Sequence, residues 1–551
     1  MSDPGGEQRT GWRRWCNTSM LGVALLVAAI AVSLTRVLVI RDKLFATDKV
    51  IIRVAHWQLE MGFRDALQAV IDRYNELHAK DNVMVVQMAV TEKVYKQWLN
   101  VHLISGTAPD LSEVGMSKYS NDARYVTRYY VPITEFVSSP NPYNKGTPLE
   151  DVPWRETFID GMRGGYRDDL QDYFFTPTIF GSVRIFYNTR MLEEATGTNA
   201  PPRTLGGLFN ACAALREYGR AKGRELIPIA GSKYSRTFFV DKYRIPFTAW
   251  YESVLDADLD GTISTLDTLA GFLRGAVSFN DPPVRAWYEC VKAICDEFSK
   301  GFMAMERDQA AFLFVQGKAA MIASGSWDAE SLFRQASFQV GVMDFPLPGP
   351  GERWHNEVKG RVNEATSNTG GGLGLYKYSA HKEWALDFCR FLTSLAHNEL
   401  FSQTANWLPV IAGAKPTPQL EPFMPNPVGY STGLEYKDGG RVRTFMEGQL
   451  WRYLQDEITY DEFARLVMRE IRDARFGAER VWADEYENAV RASRETDRLL
   501  AVQSTLALMA PPDPDLPGKY RRLLLQQVGG NNGEGLRYRF EQQEGRPLPT
   551  F

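Results

Sequence analysis

The sharpest chemical spacing in the chain is a run of oxygen-bearing side chains. Asp256, Asp258, Asp260 and Thr262 alternate about Gly261, and Asp267 closes the series at the twelfth place. A calcium loop of the EF-hand kind uses those places, with glycine at the sixth for the turn, because a hard cation gathers six to eight oxygens. The last place holds Asp where the longer Glu usually grips the ion with both oxygens, so a solvated acidic turn is the simpler reading. Calcium is the one cofactor that the sequence raises. No phosphate-binding Gly-x-x-x-x-Gly-Lys-Ser/Thr, no His-Glu-x-x-His and no Gly-x-Ser-x-Gly occurs, and the six histidines are scattered. That excludes an ATPase by motif. It leaves open a glycosidase, which needs only two carboxylates about 5–9.5 Å apart.

A second set of candidates suits binding. Trp and Tyr offer flat apolar faces with a polar edge, and carboxylates accept hydroxyl hydrogen bonds, which together make a sugar site. Trp57 follows the first apolar run and is as well suited to a cleft as to a core. Asp110 stands after Pro109 in a turn, where it either accepts from a ligand or closes the turn itself. Glu60 lies in the same loop as Trp57, whereas Trp250 and Tyr251 sit in a stretch aromatic enough to be ordinary core.

The elements that must place these residues alternate in period. Val50–Ala55 reads as a buried strand, Phe63 to Leu77 carries apolar residues at helical spacing, and Val83–Val90 reads as a second strand. A helix over Tyr95–Ile104 runs into Ser105-Gly106-Thr107-Ala108-Pro109-Asp110 and the apolar Leu111–Val114. This β-α-β-α-β order predicts a parallel sheet with ligand loops at 56–62 and 110–117. A second α/β block begins near Thr176-Pro177. It has an extended Ile179–Tyr187, a helix over Leu205–Tyr218 capped by Thr204, and strands at Ile227–Ala230, Lys318–Ala323 and Val340–Phe345. One helix is expected over Ala380–Ala396. From Gln449 the chain turns charged and helical, with Thr459 and Glu462 spaced as a capping box, and the stretch from Pro511 reads as loosely ordered or docked.

A chain of 551 residues should fold as two or three domains. Its formal net charge of −4, with no dense basic stripe, argues against a nucleic-acid partner. The five cysteines give neither a zinc spacing nor a disulfide framework; Cys290 and Cys295 either pair in an oxidising compartment or serve as small buried hydrophobes. Cys16–Thr35 carries no charge, follows Arg13 and Arg14, and is long enough for an export signal or one membrane helix. An uncleaved single-pass anchor is the expectation, with the main body on the periplasmic or extracellular side.

With these pieces in order, the sequence resembles family 1 extracellular solute-binding proteins of ABC importers, the group of the maltose- and oligosaccharide-binding proteins. The matching pieces are Ile52–Trp57, the Ser105–Asp110 turn, Phe186-Tyr187-Asn188-Thr189-Arg190-Met191-Leu192, Gly317–Met321 with Gly325-Ser326-Trp327, Gly341–Pro348, and Trp407-Leu408-Pro409-Val410. The resemblance implies an α/β, two-lobed periplasmic-binding-protein fold of type II. To this the chain is expected to add a cytoplasmic stub and an N-terminal transmembrane anchor helix within 1–45, and an α-helical, loosely ordered C-terminal extension over 481–551. It implies an N-terminal lobe of 48–175 plus 360–400, a C-terminal lobe of 176–348 plus 401–480, and a hinge near Thr176 and Pro348–Arg361. Trp327 and Trp407 fall where the family's cleft meets ligand. The implied function is capture of a carbohydrate for ABC permease subunits, without catalysis. The rival readings are a membrane-anchored sensory or scaffold protein that works through its C-terminal helices, and a carbohydrate-active enzyme.

Overall fold

The computed structural model describes residues 49–114, 123–167, 170, 172–256, 263–366, 369–436 and 440–509, with Val23, Val27, Ala28, Thr35, Tyr520 and Leu524 as isolated positions. Most of the apolar N-terminal stretch, and Asp258, Asp260 and Thr262 of the acidic run, lie outside the described residues. Among the described residues no helix is long and apolar enough to cross a membrane.

Two sheets organise the molecule. The first has five strands in the order Val83–Ala89, Val50–His56, Leu111–Glu113, Leu373–Leu375, Phe175–Thr176. Val50–His56 runs parallel to both of its neighbours, in register from Val50 opposite Val83 and from Val54 opposite Leu111. Its β-branched residues and the helix Phe63–Leu77 make one core: Ile52 and Val54 meet Phe63, Ala66, Leu67, Val70, Ile71 and Tyr74, all buried. A parallel sheet must be covered on its faces, and this helix covers one of them.

The second sheet runs Val340–Met343, Val183–Asn188, Ala319–Gly325, Ile227–Ala230, with every residue of Ala319–Gly325 buried. Helices Leu205–Ala221, Ser235–Thr248 and Pro282–Cys295 pack its core. The Thr204 side chain accepts from the Gly207 N–H, and Glu352 adds a carboxylate to the same helix start by accepting from Thr204 Oγ1 at 2.6 Å and Gly206 N at 2.9 Å. The loop of Pro348–Arg361 is thus fastened to the second body. Trp354 reinforces this by donating from Nε1 to Glu289 at 3.3 Å.

The chain passes between the sheets at a different place. Thr176 ends a strand of the first sheet, Ile179–Phe180 pairs antiparallel with Thr369–Gly370, and Val183 begins a strand of the second. The second passage therefore lies at Thr369–Gly372, downstream of Pro348–Arg361. After it, Phe401, Ala405, Trp407, Val410 and Ile411 still pack in the first core, while Leu408, Leu420 and Phe423 join a separate cluster around Phe186, Ala319 and Ile322 of the second sheet.

Two further differences have local causes. The helix expected over Ala380–Ala396 is two, Lys382–Leu392 and Leu395–Ala405. Thr393 and Ser394 turn their hydroxyls onto the carbonyls of Cys389 and Phe391, and Thr393 Oγ1 also accepts from Trp154 Nε1 at 3.0 Å. Cys290 and Cys295 lie on one helix, buried and free, as are Cys212 and Cys389. At the C-terminal end, Arg441–Leu454, Tyr460–Ile471 and the start of Ala478–Met509 pack on the second core through Leu450, Phe463, Val467 and Trp482.

Candidate functional site

A cavity of about 370 Å³ opens between the two bodies. One wall is Leu59, Glu60 and Met61, in the loop that leaves the carboxyl end of Val50–His56. The other is built at the carboxyl ends of Ile227–Ala230 and Ala319–Gly325, the place where α/β sheets offer ligands a crevice. It presents Ser232, Tyr234, Arg307, Asp308, Trp327 and Asp328.

Trp327 is half-buried and packs against both cores, so the ring belongs to the junction of the two bodies. Its position is fixed from behind by Gly325, where a Cβ would come within 2.2 Å of the indole. Phe238 lies 6.2 Å away, and Tyr234 stacks edge-on against Phe238 at 5.0 Å, extending the aromatic wall. Asp328 binds Arg307 at 2.6 Å and accepts from the Ser324 hydroxyl. Burial pushes the Asp328 carboxyl above its ordinary range, opposed by the Arg307 charge and the Ser324 hydrogen bond. Burial likewise works against the Arg307 charge. Asp328, Tyr234 and, across the cavity, Glu60 more than offset it and raise its pKa.

A second carboxyl lies at the carboxyl end of the middle strand of the first sheet. Glu113 is buried at the end of Leu111–Glu113, accepting from Gln58 Nε2 at 2.5 Å and from Trp57 N at 3.3 Å. Burial raises its pKa to about 8 against the pull of those two donors. Its neighbour Trp57 is half-buried, edge-on to Tyr95 at 5.1 Å.

Of the residues singled out in the sequence, the cavity unites Glu60 and Trp327. Asp110 lies outside the cavity lining and ties its turn to two distant segments: it is buried, and its oxygens accept from Arg53 N at 2.9 Å and Ser379 Oγ at 2.6 Å. Trp407 is 3 % exposed in the first core, 5.2 Å from Phe63, and is not part of the cavity lining. Trp250 lies on the surface with Nε1 donating to Glu357 O and Lys359 over its ring, and Tyr251 is buried with its hydroxyl on Asp281. Asp267 is engaged in a capping box, accepting from both the backbone N–H and the hydroxyl of Ser264. Among the described residues no group of three or more His, Cys, Asp or Glu side chains is placed to hold a metal.

The sequence reading missed Ser232, Tyr234, Arg307, Asp328 and Glu113. The rule that pointed to Trp57, a loop at the carboxyl end of a strand, applies equally to Ser232 and Tyr234 after Ile227–Ala230. Nothing local marks Arg307, which the fold brings to Asp328.

The model of the bacterial extracellular solute-binding protein family matches residues 79–425. The chain belongs to that family. Over 311 residues this solute-binding protein is 22% identical to an uncharacterized ABC transporter extracellular-binding protein of Pyrococcus horikoshii, an alignment covering 54% of this chain and 60% of the relative. The match therefore spans less than two thirds of that relative. Among solved structures, a chitin oligosaccharide binding protein superposes with a TM-score of 0.53 at 16% identity, covering 77% of this chain and 98% of the other. The GacH receptor of Streptomyces glaucescens gives 0.52 at 16% identity over 77% and 97%, and maltose-bound MalE3 of T. maritima 0.52 at 16% over 76% and 98%. At such identities the likeness shows the fold, the two-lobed α/β architecture of solute-binding proteins.

Proposed function

We propose that this protein is the extracytoplasmic receptor of an ABC importer and captures a carbohydrate in the cleft between its lobes, for delivery to permease subunits. The observation that carries the reading is the placement of Trp327, whose ring lines the cavity while packing on both cores. A sugar stacked on that ring is held where the lobes meet, so ligand binding energy acts on the open–closed equilibrium. The hydroxyls of Ser232 and Ser331 and the carboxylates of Glu60 and Asp308 supply hydrogen-bonding groups that sugar hydroxyls need. The name of the P. horikoshii relative and the oligosaccharides named for the structural neighbours support the same class. The site is one of binding, with no catalytic residue assigned.

The lobes in this reading divide at 177–182, at the Thr369–Gly372 passage and between Trp407 and Leu420. The uncharged stretch of Cys16–Thr35 serves as the tether, which raises the receptor's effective concentration at its permease.

A thermal-shift screen of the chain against oligosaccharides, sugar alcohols and amino acids tests the proposal. A ligand at a hundredfold excess over its Kd adds about 2.7 kcal/mol of stability by mass action. One saccharide class should shift the midpoint, and Trp327→Ala should cut that shift to about a third at the same ligand concentration. Silence across the whole panel would sink the reading.

A further inference from the structure

Four ionisable groups of opposite sign line the cavity, Glu60, Asp308 and Asp328 against Arg307. The balance is less even than it looks. Arg307 and Asp328 are consumed by each other at 2.6 Å, with Ser324 completing the carboxylate, so the deep part of the wall is neutral. Two cations close in sequence to lining residues are paired: Lys233 with Glu306 at 2.5 Å, and Arg334 with Glu330 at 3.3 Å. Two carboxylates remain. Among the described residues the Glu60 carboxylate accepts only from Leu59 N, at 3.1 Å, and Asp308 makes no hydrogen bond or ion pair, although both carboxylates add to the field that holds the Arg307 charge.

We infer that the cleft is built for a saccharide carrying a protonated amine, with Glu60 and Asp308 as the carboxylates that meet it; this rests on the saccharide reading of the same cavity. An anionic sugar entering here meets, among the described residues, three carboxylates against one guanidinium, a like-charge excess that disfavours it. An ammonium gains charge-assisted hydrogen bonds instead, and the face of Trp327 favours a cation beside it, as the Tyr234 ring already does for Arg307 at 5.8 Å. The two carboxylates stand on opposite walls, Glu60 on the loop after Val50–His56 and Asp308 on the helix Arg307–Val315. An ammonium between them draws the walls together, so the charge that is recognised also favours the closed arrangement.

The test is calorimetric titration of the full-length chain with matched tetrasaccharides of glucosamine, glucose and glucuronate, α-1,4 and β-1,4 linked, at low and at physiological salt. The glucosamine series should bind at least tenfold more tightly than the glucose series, and the glucuronate series should bind weakest. The amine-over-neutral ratio should shrink as salt rises, and Glu60→Gln and Asp308→Asn should each reduce it several-fold. A ratio near one, a glucuronate affinity equal to that of glucose, or a ratio unmoved by both variants overturns the inference while leaving saccharide capture standing. Absence of binding by every series overturns both.

Discussion

Arg184 and Glu364, 180 residues apart, face each other as a buried two-pronged pair, Nη1 to Oε1 at 2.8 Å and Nη2 to Oε2 at 2.7 Å. Lys242 donates to the same carboxylate, and the Asn426 N–H reaches it at 3.2 Å. Arg184 also donates from Nε to Pro422 O at 3.0 Å and from Nη2 to Met424 O at 3.2 Å. One carboxylate therefore ties a strand of the second sheet, the helix Ser235–Thr248 and the 422–426 segment to the stretch that leads back to the first sheet. Together with Glu352 it holds 349–364 on the second lobe, so the chain crosses between the lobes at 177–182, at 369–372 and between Trp407 and Leu420, and not in that stretch.

Glu364 should carry a measurable acid dependence. Burial opposes its charge, but hydrogen bonds from Arg184 and the charges of Lys242 and Arg184 win, holding its pKa at about 2. An unfolded Glu titrates near ~4.3. The native state thus binds fewer protons than the unfolded state in that window, and the stabilisation present above ~4.3 is lost as pH falls toward 2. Glu364→Gln should flatten this limb of a denaturation-midpoint series. At neutral pH it should cost on the order of 3–5 kcal/mol, because Arg184 and Lys242 stay buried without their anion.

Legibility tracked how local each determinant is. Strand and helix periods placed Val50–His56, Phe63–Leu77 and Leu205–Ala221 because their burial follows from spacing along one element. The helix Ser235–Thr248 was not recognised: Pro246 lies inside it and aromatic residues occupy several of its faces, so it shows no clean stripe. Among site residues, Glu60 and Trp327 were legible from strand-end position and family resemblance. Trp407 shares that resemblance yet is buried, because Phe63 and Phe401 surround it. The Arg307–Asp328 pair depends on two elements meeting, a relation that no spacing along the chain records.

The aromatic wall can be disturbed from behind as well as removed. Trp327→Ala should weaken saccharide binding by about 2 kcal/mol, roughly thirtyfold, as for a stacked anchor. Gly325 has an ordinary backbone conformation, so Gly325→Ala introduces no backbone strain, but its Cβ would fall within 2.2 Å of the indole and push it into the cleft. The two variants should share the binding defect while Gly325→Ala retains the tryptophan. Wild-type affinity in Gly325→Ala, measured by titration, would show that the ring position is immaterial.

Glu113 predicts the opposite pH limb. Its native pKa of about 8 exceeds the unfolded value near ~4.3, so the folded protein holds the extra proton between them. Stability is greatest below ~4.3 with respect to this group and declines as pH rises toward 8, by on the order of a few kcal/mol in total. Glu113→Gln should remove that decline. Because Trp57 donates its backbone N–H to Glu113, tryptophan fluorescence should show a transition near pH 8 that the variant lacks.

The passage between lobes offers the most direct test of where the molecule bends. Gly371 has φ +62°, and a Cβ there would meet Thr178 Oγ1 at 2.4 Å. The Thr178 hydroxyl donates to Gly371 O at 2.9 Å and its N–H to Gly370 O at 3.1 Å, so the two strands of the passage are stitched at this point. Gly371→Ala should cost at least about 2 kcal/mol, from the left-handed backbone of an L-residue and from the contact with Thr178. The contact part is separable, because Thr178→Ala removes the Oγ1 that the new methyl strikes. Gly371→Ala should therefore cost less in a Thr178→Ala background than alone, and a double-mutant cycle on chemical denaturation reads the difference. Strict additivity would mean that the glycine answers to backbone conformation alone. A coupling of about 1 kcal/mol or more would place the stitched ribbon under the packing constraint described here, and small-angle scattering on ligand addition should then show reduced compaction in Gly371→Ala.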